Sequence, residues 1–75
     1  MSLRLPSLTA RQVIRALERG GFNVFRVKGS HHHLRHPEKR VVVTVPYHAK
    51  DIKRSVLHSI IKQAGLTADE FRDLL

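Results

Sequence analysis

The stretch Lys28-Gly29-Ser30-His31-His32-His33-Leu34-Arg35-His36-Pro37 concentrates imidazole and fixed positive charge in a short span. Histidine has an ordinary pKa of about 6.5, so near neutral pH it can take up or release a proton. In an extended strand alternate side chains face opposite ways. With Leu34 turned toward an apolar core, His32 and His36 share its side, while His31, His33 and Arg35 project from the other. Arg26 and Lys28, in the extended run just before, fall beside them if the two runs pair. Imidazoles next to permanent cations suit metal-free RNA cleavage. A neutral imidazole takes the proton of the 2′-hydroxyl, and the cations stabilise charge building on the phosphate.

Two other chemistries fit the same residues. His31 and His33, joined by His48 from a loop, offer three nitrogens to a zinc ion. No carboxylate second shell is evident around them, and consecutive histidines are not a specific metal signature. Alternatively, a histidine-rich strand decorates a basic RNA-binding surface without catalysing anything. Residue types alone leave catalysis and plain binding open.

The elements that must position these residues are legible from periodicity. Residues 9–19 read as an amphipathic helix: Ala10, Val13, Ile14 and Leu17 recur at helical spacing, and Arg11, Arg15 and Glu18 fall elsewhere. Thr9 with Gln12 forms a capping box, Leu8 with Val13 a hydrophobic staple, and Gly20-Gly21 the stop. Three extended runs follow, at 22–28, 31–36 and 40–45, separated by Gly29-Ser30 and Pro37-Glu38-Lys39 and closed by Pro46. Such short joins imply an antiparallel meander. An apolar stripe of Ile52, Val56, Leu57, Ile60, Ile61 and Ala64 predicts a second helix over 51–64, with Asp51 in its first turn and Gly65 as its stop. Thr67 with Glu70 caps a last short helix. The expected fold is therefore α+β: one small α-β-β-β-α domain spanning 1–75, with a three-stranded antiparallel sheet and helices on one face.

Composition narrows the partners. Fourteen Lys and Arg against six Asp and Glu give the chain a formal charge of +8. Residues 1–50 carry ten basic and two acidic side chains, whereas 51–75 carry four of each. A one-sided positive field of this size favours a polyanion such as nucleic acid. With no cysteine there is neither a disulfide framework nor a thiolate metal cage. No apolar run approaches the roughly 20 residues of a membrane span. Residues 1–7, Met-Ser-Leu-Arg-Leu-Pro-Ser, lack a signal-peptide apolar stretch, which points to the cytoplasm and to no membrane partner.

Several residues carry both a structural and a functional reading. Ser30 is a turn residue that can donate to a phosphate. Lys50, Lys53 and Arg54 stand at the start of the second long helix, where basic residues oppose the helix dipole, and anion binding gives them a reason to be there. His48 either caps that helix or meets RNA. His32 is expected as a partly buried, hydrogen-bonded side chain and His36 as structural. Phe25 and Tyr47 can stack on bases, yet with one tyrosine and three phenylalanines in the chain most aromatics are expected in the core, Phe22 first.

Taken in order, Lys28-Gly29-Ser30-His31-His32, Arg35-His36-Pro37, Val45-Pro46 with His48, and Ile60-Ile61-Lys62-Gln63-Ala64-Gly65-Leu66 resemble the HicA family, the toxins of HicA–HicB toxin–antitoxin modules. The resemblance runs from the Gly20-Gly21-Phe22 junction to the helix around Phe71. It implies a double-stranded-RNA-binding-domain-like fold and a ribosome-independent, metal-independent endoribonuclease acting on mRNA, needing no small-molecule cofactor. A HicB-like antitoxin is the implied protein partner. The family's catalytic histidine follows a Gly-Ser pair, which here selects His31 as general acid or base. Arg26, Lys28, Ser30, His33, Arg35, Lys50, Lys53 and Arg54 are the accompanying candidates for RNA contact. His33 departs from the residue types more usual at its position. A non-catalytic RNA-binding module on the same fold is the alternative.

Overall fold

The start signals read at Thr9 and Thr67 and the stops read at Gly20-Gly21 and Gly65 are made. A computed structural model describes residues 4–75, so the first three residues of the signal-peptide reading lie outside it. The chain runs α1 (Ala10–Arg19), β1 (Asn23–Lys28), β2 (His31–Arg35), β3 (Val42–Pro46), α2 (Arg54–Gln63) and α3 (Ala68–Asp73). Thr9 Oγ1 accepts from the Gln12 amide at 3.2 Å, and Gln12 Oε1 accepts from the Thr9 amide at 2.9 Å. Thr67 and Glu70 repeat this box at the head of α3, at 3.1 and 2.8 Å. Each box satisfies two amides that have no partner inside the helix. At the C-terminus of α1, Phe22 donates to Leu17 and Gly21 to Glu18. That bonding closes the helix only with Gly21 in the left-handed region, at φ +95°.

Strands β1, β2 and β3 form an antiparallel sheet in that order. Lys28 pairs with His31 across the two-residue loop Gly29-Ser30, with Gly29 at φ +59°. Glycine in the first central position is what a tight hairpin of this kind requires. Leu34 of β2 and Val43 and Val45 of β3 have no exposed surface, and α1 and α2 pack onto β3. The core continues through Val13, Leu17, Phe22, Leu57, Ile60 and Phe71, all 0–1 % exposed. Both long helices therefore lie on one face of the sheet, and the opposite face is open. β1 extends beyond this cover, and all six of its residues are exposed.

The second helix is shorter than its apolar stripe implies. α2 begins at Arg54, so Asp51 is not in its first turn, which contains no acidic residue. The Ile52 amide donates to the Leu8 carbonyl at 2.8 Å, committing residue 52 to the segment before α1. Lys53 then serves as an extended N-cap, φ −60° and ψ 144°, with no side-chain cap. Ile52 is buried, as the stripe predicts, but from the loop.

Two expectations follow. The Glu70 carboxyl is held below its ordinary value, first by the Thr67 amide, then by the Thr67 hydroxyl. A depressed folded-state pKa stabilises the fold above the unfolded carboxyl value and is lost as pH falls through the folded one. Glu70→Gln keeps an amide oxygen for the cap, as Gln12 does at α1, and cannot titrate. The stability gap between wild type and Glu70→Gln in urea unfolding should therefore shrink from pH 7 toward pH 3. Gly29→Ala meets no atom within 4 Å, so its cost is backbone strain alone. Urea titration should read about 1–2 kcal/mol.

Candidate active site

The register of β2 assembles the site. His31 lies between Lys28 of β1 and Pro46 of β3, His33 between Arg26 and Thr44, and Arg35 between Asn23 and Val42. Directly opposed residues in an antiparallel pair project on the same side. Because Leu34 points into the core, Lys28, His31, Arg26, His33 and Arg35 share the face that no helix covers. The His31 and His33 ring centroids are 6.5 Å apart, with planes at 62°. His31 is exposed and His33 half-buried. His33 Nδ1 lies 3.0 Å from the Thr44 hydroxyl, a bond that orients the ring across the strands.

Phe25 belongs to this face too, although most aromatics are expected in the core. The β1–β2 register slips between Val24 and Arg26, making Phe25 the extra residue of a bulge. A bulge breaks strict alternation and re-aims a side chain. The Phe25 ring lies 6.4 Å from His33, with the Arg35 guanidinium 4.8 Å from its centroid. At 43 % exposure it presents its remaining surface to solvent. Tyr47 is also outside the core, at 39 %, and stacks on His32 at 4.5 Å. Only Phe22 and Phe71 among the aromatics are fully buried.

Of the remaining histidines, His32 and His36 turn to the other side of the strand from His31. His32 is partly buried as expected, but aromatic stacking holds it instead of a hydrogen bond, and its Nδ1 has no partner among the described residues. His36 accepts from the Glu38 and Lys39 amides at 3.0 and 3.3 Å and sets its ring edge-on to Phe22, 5.2 Å away. These bonds hold the turn between β2 and β3. His48, Lys50 and Lys53 line an open, mostly apolar groove where the chain leaves β3 for α2. Pro46, opposite His31, lines it as well, so the groove adjoins the His31 end of the sheet. Among the described residues no three His, Asp or Glu side chains are grouped as metal ligands, and His31, His33 and His48 do not form such a set.

The structure does not bring Arg54 into the exposed basic group. Its guanidinium is half-buried and donates to the Leu5 carbonyl at 2.6 Å, fastening the segment before α1 to the start of α2. The Ser30 carbonyl accepts from the Tyr47 amide at 2.6 Å, anchoring the hairpin beside His31. Sequence reasoning passed over Thr44. Its one visible signal is a lone hydroxyl alternating with Val43 and Val45, which marks the outward side of β3 without saying what it meets.

The site is thus a flat basic surface bearing two imidazoles, three permanent cations and one aromatic ring. Such a surface suits an extended polyanion better than a small molecule, which pockets enclose. No helix among the described residues is long and apolar enough to cross a membrane. No curated protein matches the chain. The family model described as the HicA toxin of bacterial toxin–antitoxin systems matches residues 10–66, a span holding β1, β2, β3 and every residue of the open face. The chain belongs to the HicA toxin family and is the toxin of a toxin–antitoxin module.

Proposed function

We propose that this toxin is a metal-independent, ribosome-independent endoribonuclease that cleaves mRNA, with His31 as general base. One observation carries the reading: His31 stands exposed on the uncovered sheet face with Arg26, Lys28 and Arg35 on the same side. Neutral His31 removes the 2′-hydroxyl proton, and the resulting oxygen attacks the adjacent phosphorus. Arg26, Lys28 and Arg35 neutralise the charge that grows on the non-bridging oxygens, where a fixed cation is most effective. Ser30 and His33 contact the strand near the cut, and Lys50 and Lys53 hold the backbone beyond the His31 end of the sheet. Arg54 gives one nitrogen to the Leu5 carbonyl and offers its remaining donors to the same RNA backbone.

The protein partner that silences such a surface is acidic and covers His31. We assign that role to a HicB-like antitoxin encoded beside the toxin, acting in the cytoplasm. Complementary charge accelerates encounter more than it deepens affinity. Association measured by stopped flow should therefore slow as salt rises from 50 to about 500 mM, where the Debye length falls to a few ångströms, with dissociation little changed.

A short RNA, its counterpart with one 2′-deoxy sugar at the cut site, and EDTA test the chemistry together. The all-ribose strand should yield a 2′,3′-cyclic phosphate and a 5′-hydroxyl, with or without chelator, and the deoxy linkage should remain intact. His31→Ala should lose at least about 10²-fold in cleavage rate, while its stability stays within about 0.5 kcal/mol of wild type because the side chain faces solvent. Cleavage at the deoxy position, or loss of activity to EDTA, would indicate a metal-activated water instead. RNA binding without cleavage would point to a non-catalytic module.

A further inference from the structure

Transesterification needs two proton transfers, and His31 supplies one. The geometry points to His33 as the second: the general acid that protonates the departing 5′-oxygen. This rests on the ribonuclease reading above and completes it.

Three observations converge on His33. Its ring centroid lies 6.5 Å from that of His31, on the same open face. Two imidazoles so placed leave room for one phosphate between them, within reach of both its attacking and its leaving oxygen. The Nδ1–Thr44 Oγ1 bond, 3.0 Å, occupies one ring nitrogen and leaves Nε2 for substrate. A threonine hydroxyl can accept from Nδ1–H in neutral imidazole and in imidazolium alike. The ring therefore holds its orientation through a full protonation cycle, as a proton-transfer group must. His33 is also half-buried, so its orientation is constrained as that of exposed His31 is not. Of the other histidines, His32 is engaged with Tyr47 and His36 with the turn at Glu38 and Lys39, whereas His48 lies in the groove beyond Pro46.

The step balances without any co-reactant. Neutral His31 takes the 2′-hydroxyl proton as the bond from 2′-oxygen to phosphorus forms. The bond from phosphorus to 5′-oxygen breaks, and that oxygen takes the proton from His33 imidazolium. The products are a 2′,3′-cyclic phosphate and a 5′-hydroxyl, and proton exchange with water resets both rings. The groups facing His33 are Arg26 across the β1 pairing, Thr44 across the β3 pairing, His31 along the strand, and the Phe25 ring carrying Arg35. Lys28 faces His31. No helix packs on this side, and His48, Lys50 and Lys53 lie beyond Pro46 in the adjoining groove. Thr44 is a positioning residue that acts through His33.

A leaving-group substitution separates an acid from a mere contact. In an RNA whose scissile 5′-oxygen is replaced by sulfur, the thiolate departs unprotonated, because a thiol has a pKa of about 8.5. Against ordinary RNA, His33→Ala and His33→Gln should each lose about 10²–10⁴-fold, the usual worth of general acid catalysis. Against the 5′-thio linkage both should approach the wild-type rate, whereas His31→Ala stays impaired on both linkages. The pH–rate profile of wild type on ordinary RNA should be bell-shaped, and the alkaline limb should vanish in His33→Gln. Thr44→Val should show a smaller loss on ordinary RNA alone, recovered by Thr44→Ser. Circular dichroism checks that each variant is folded, and His33→Gln retains a side chain able to bond Thr44. Equal slowing of the His33 variants on both linkages, or no slowing on either, overturns the assignment while leaving His31 catalysis intact. Wild-type protein that cuts neither linkage overturns the ribonuclease reading, and the acid with it.

Discussion

Everything at the site depends on burial of one side of β2 and β3 beneath α1 and α2. Leu34, Val43 and Val45 have no exposed surface, and truncating one such residue costs about 2–5 kcal/mol. A domain of this size has about 5–15 kcal/mol of stability in total, so Leu34 alone carries a large share of it. A slip of β2 by one residue would expose Leu34 and turn His33 and Arg35 into the core. Burying an unpaired guanidinium costs several kcal/mol more. The apolar layer thus fixes which way His31, His33 and Arg35 face, although it lies on the other side of the sheet from their side chains.

The open face gains its detail from devices around that layer. A tight hairpin at Gly29 brings Lys28 opposite His31, and the following pair sets Arg26 near His33. The bulge at Phe25 places a ring against His33 and under Arg35. β3 contributes from the other side, its Thr44 hydroxyl meeting His33 Nδ1. The Thr44 amide, on the free edge of β3, donates to Gln63 of α2 at 3.2 Å, so the residue that orients His33 is itself held by a helix. Histidine, cation and aromatic ring are thereby mounted on paired strands, which hold side chains more exactly than loops do. The absence of walls around them is in keeping with a polymer that must lie across the surface.

Outside the sheet, backbone anchors link the ends of the chain to its middle. Ile52 donates to Leu8, Arg54 to Leu5 and Arg19 to Leu74. These bonds explain why the second helix starts late and why one nitrogen of Arg54 is turned to the backbone. They also tie the segment before α1 and the residue after α3 to helices that cover the sheet. Positive charge at the start of α2 is thus of two kinds: Lys50 and Lys53 are exposed, whereas Arg54 is half-buried with one nitrogen on the Leu5 carbonyl.

The features the sequence determined alone are those whose physics is local. Capping boxes at Thr9 and Thr67 act over three residues, the Gly29-Ser30 turn over four, and alternation along β2 follows from the geometry of a single strand. Hence α+β order, the meander and the shared face of His31, His33 and Arg35 were legible, as was the basic excess. Other features depend on partners far along the chain. Strict alternation places Phe25 with Val27, and only pairing with β2 reveals the slip that puts Val24 and Val27 on one side and Phe25 with Arg26 on the other. Thr44 meets His33 because the turn at 37–39 closes in one register out of several that its length allows. Asp51 sits outside α2, and Arg54 inside a bond, because Leu8 holds Ile52 and Leu5 holds Arg54 across more than forty positions. Tertiary structure decided these points because strand register and backbone anchoring minimise the energy of the whole layer, and no single segment contains that sum.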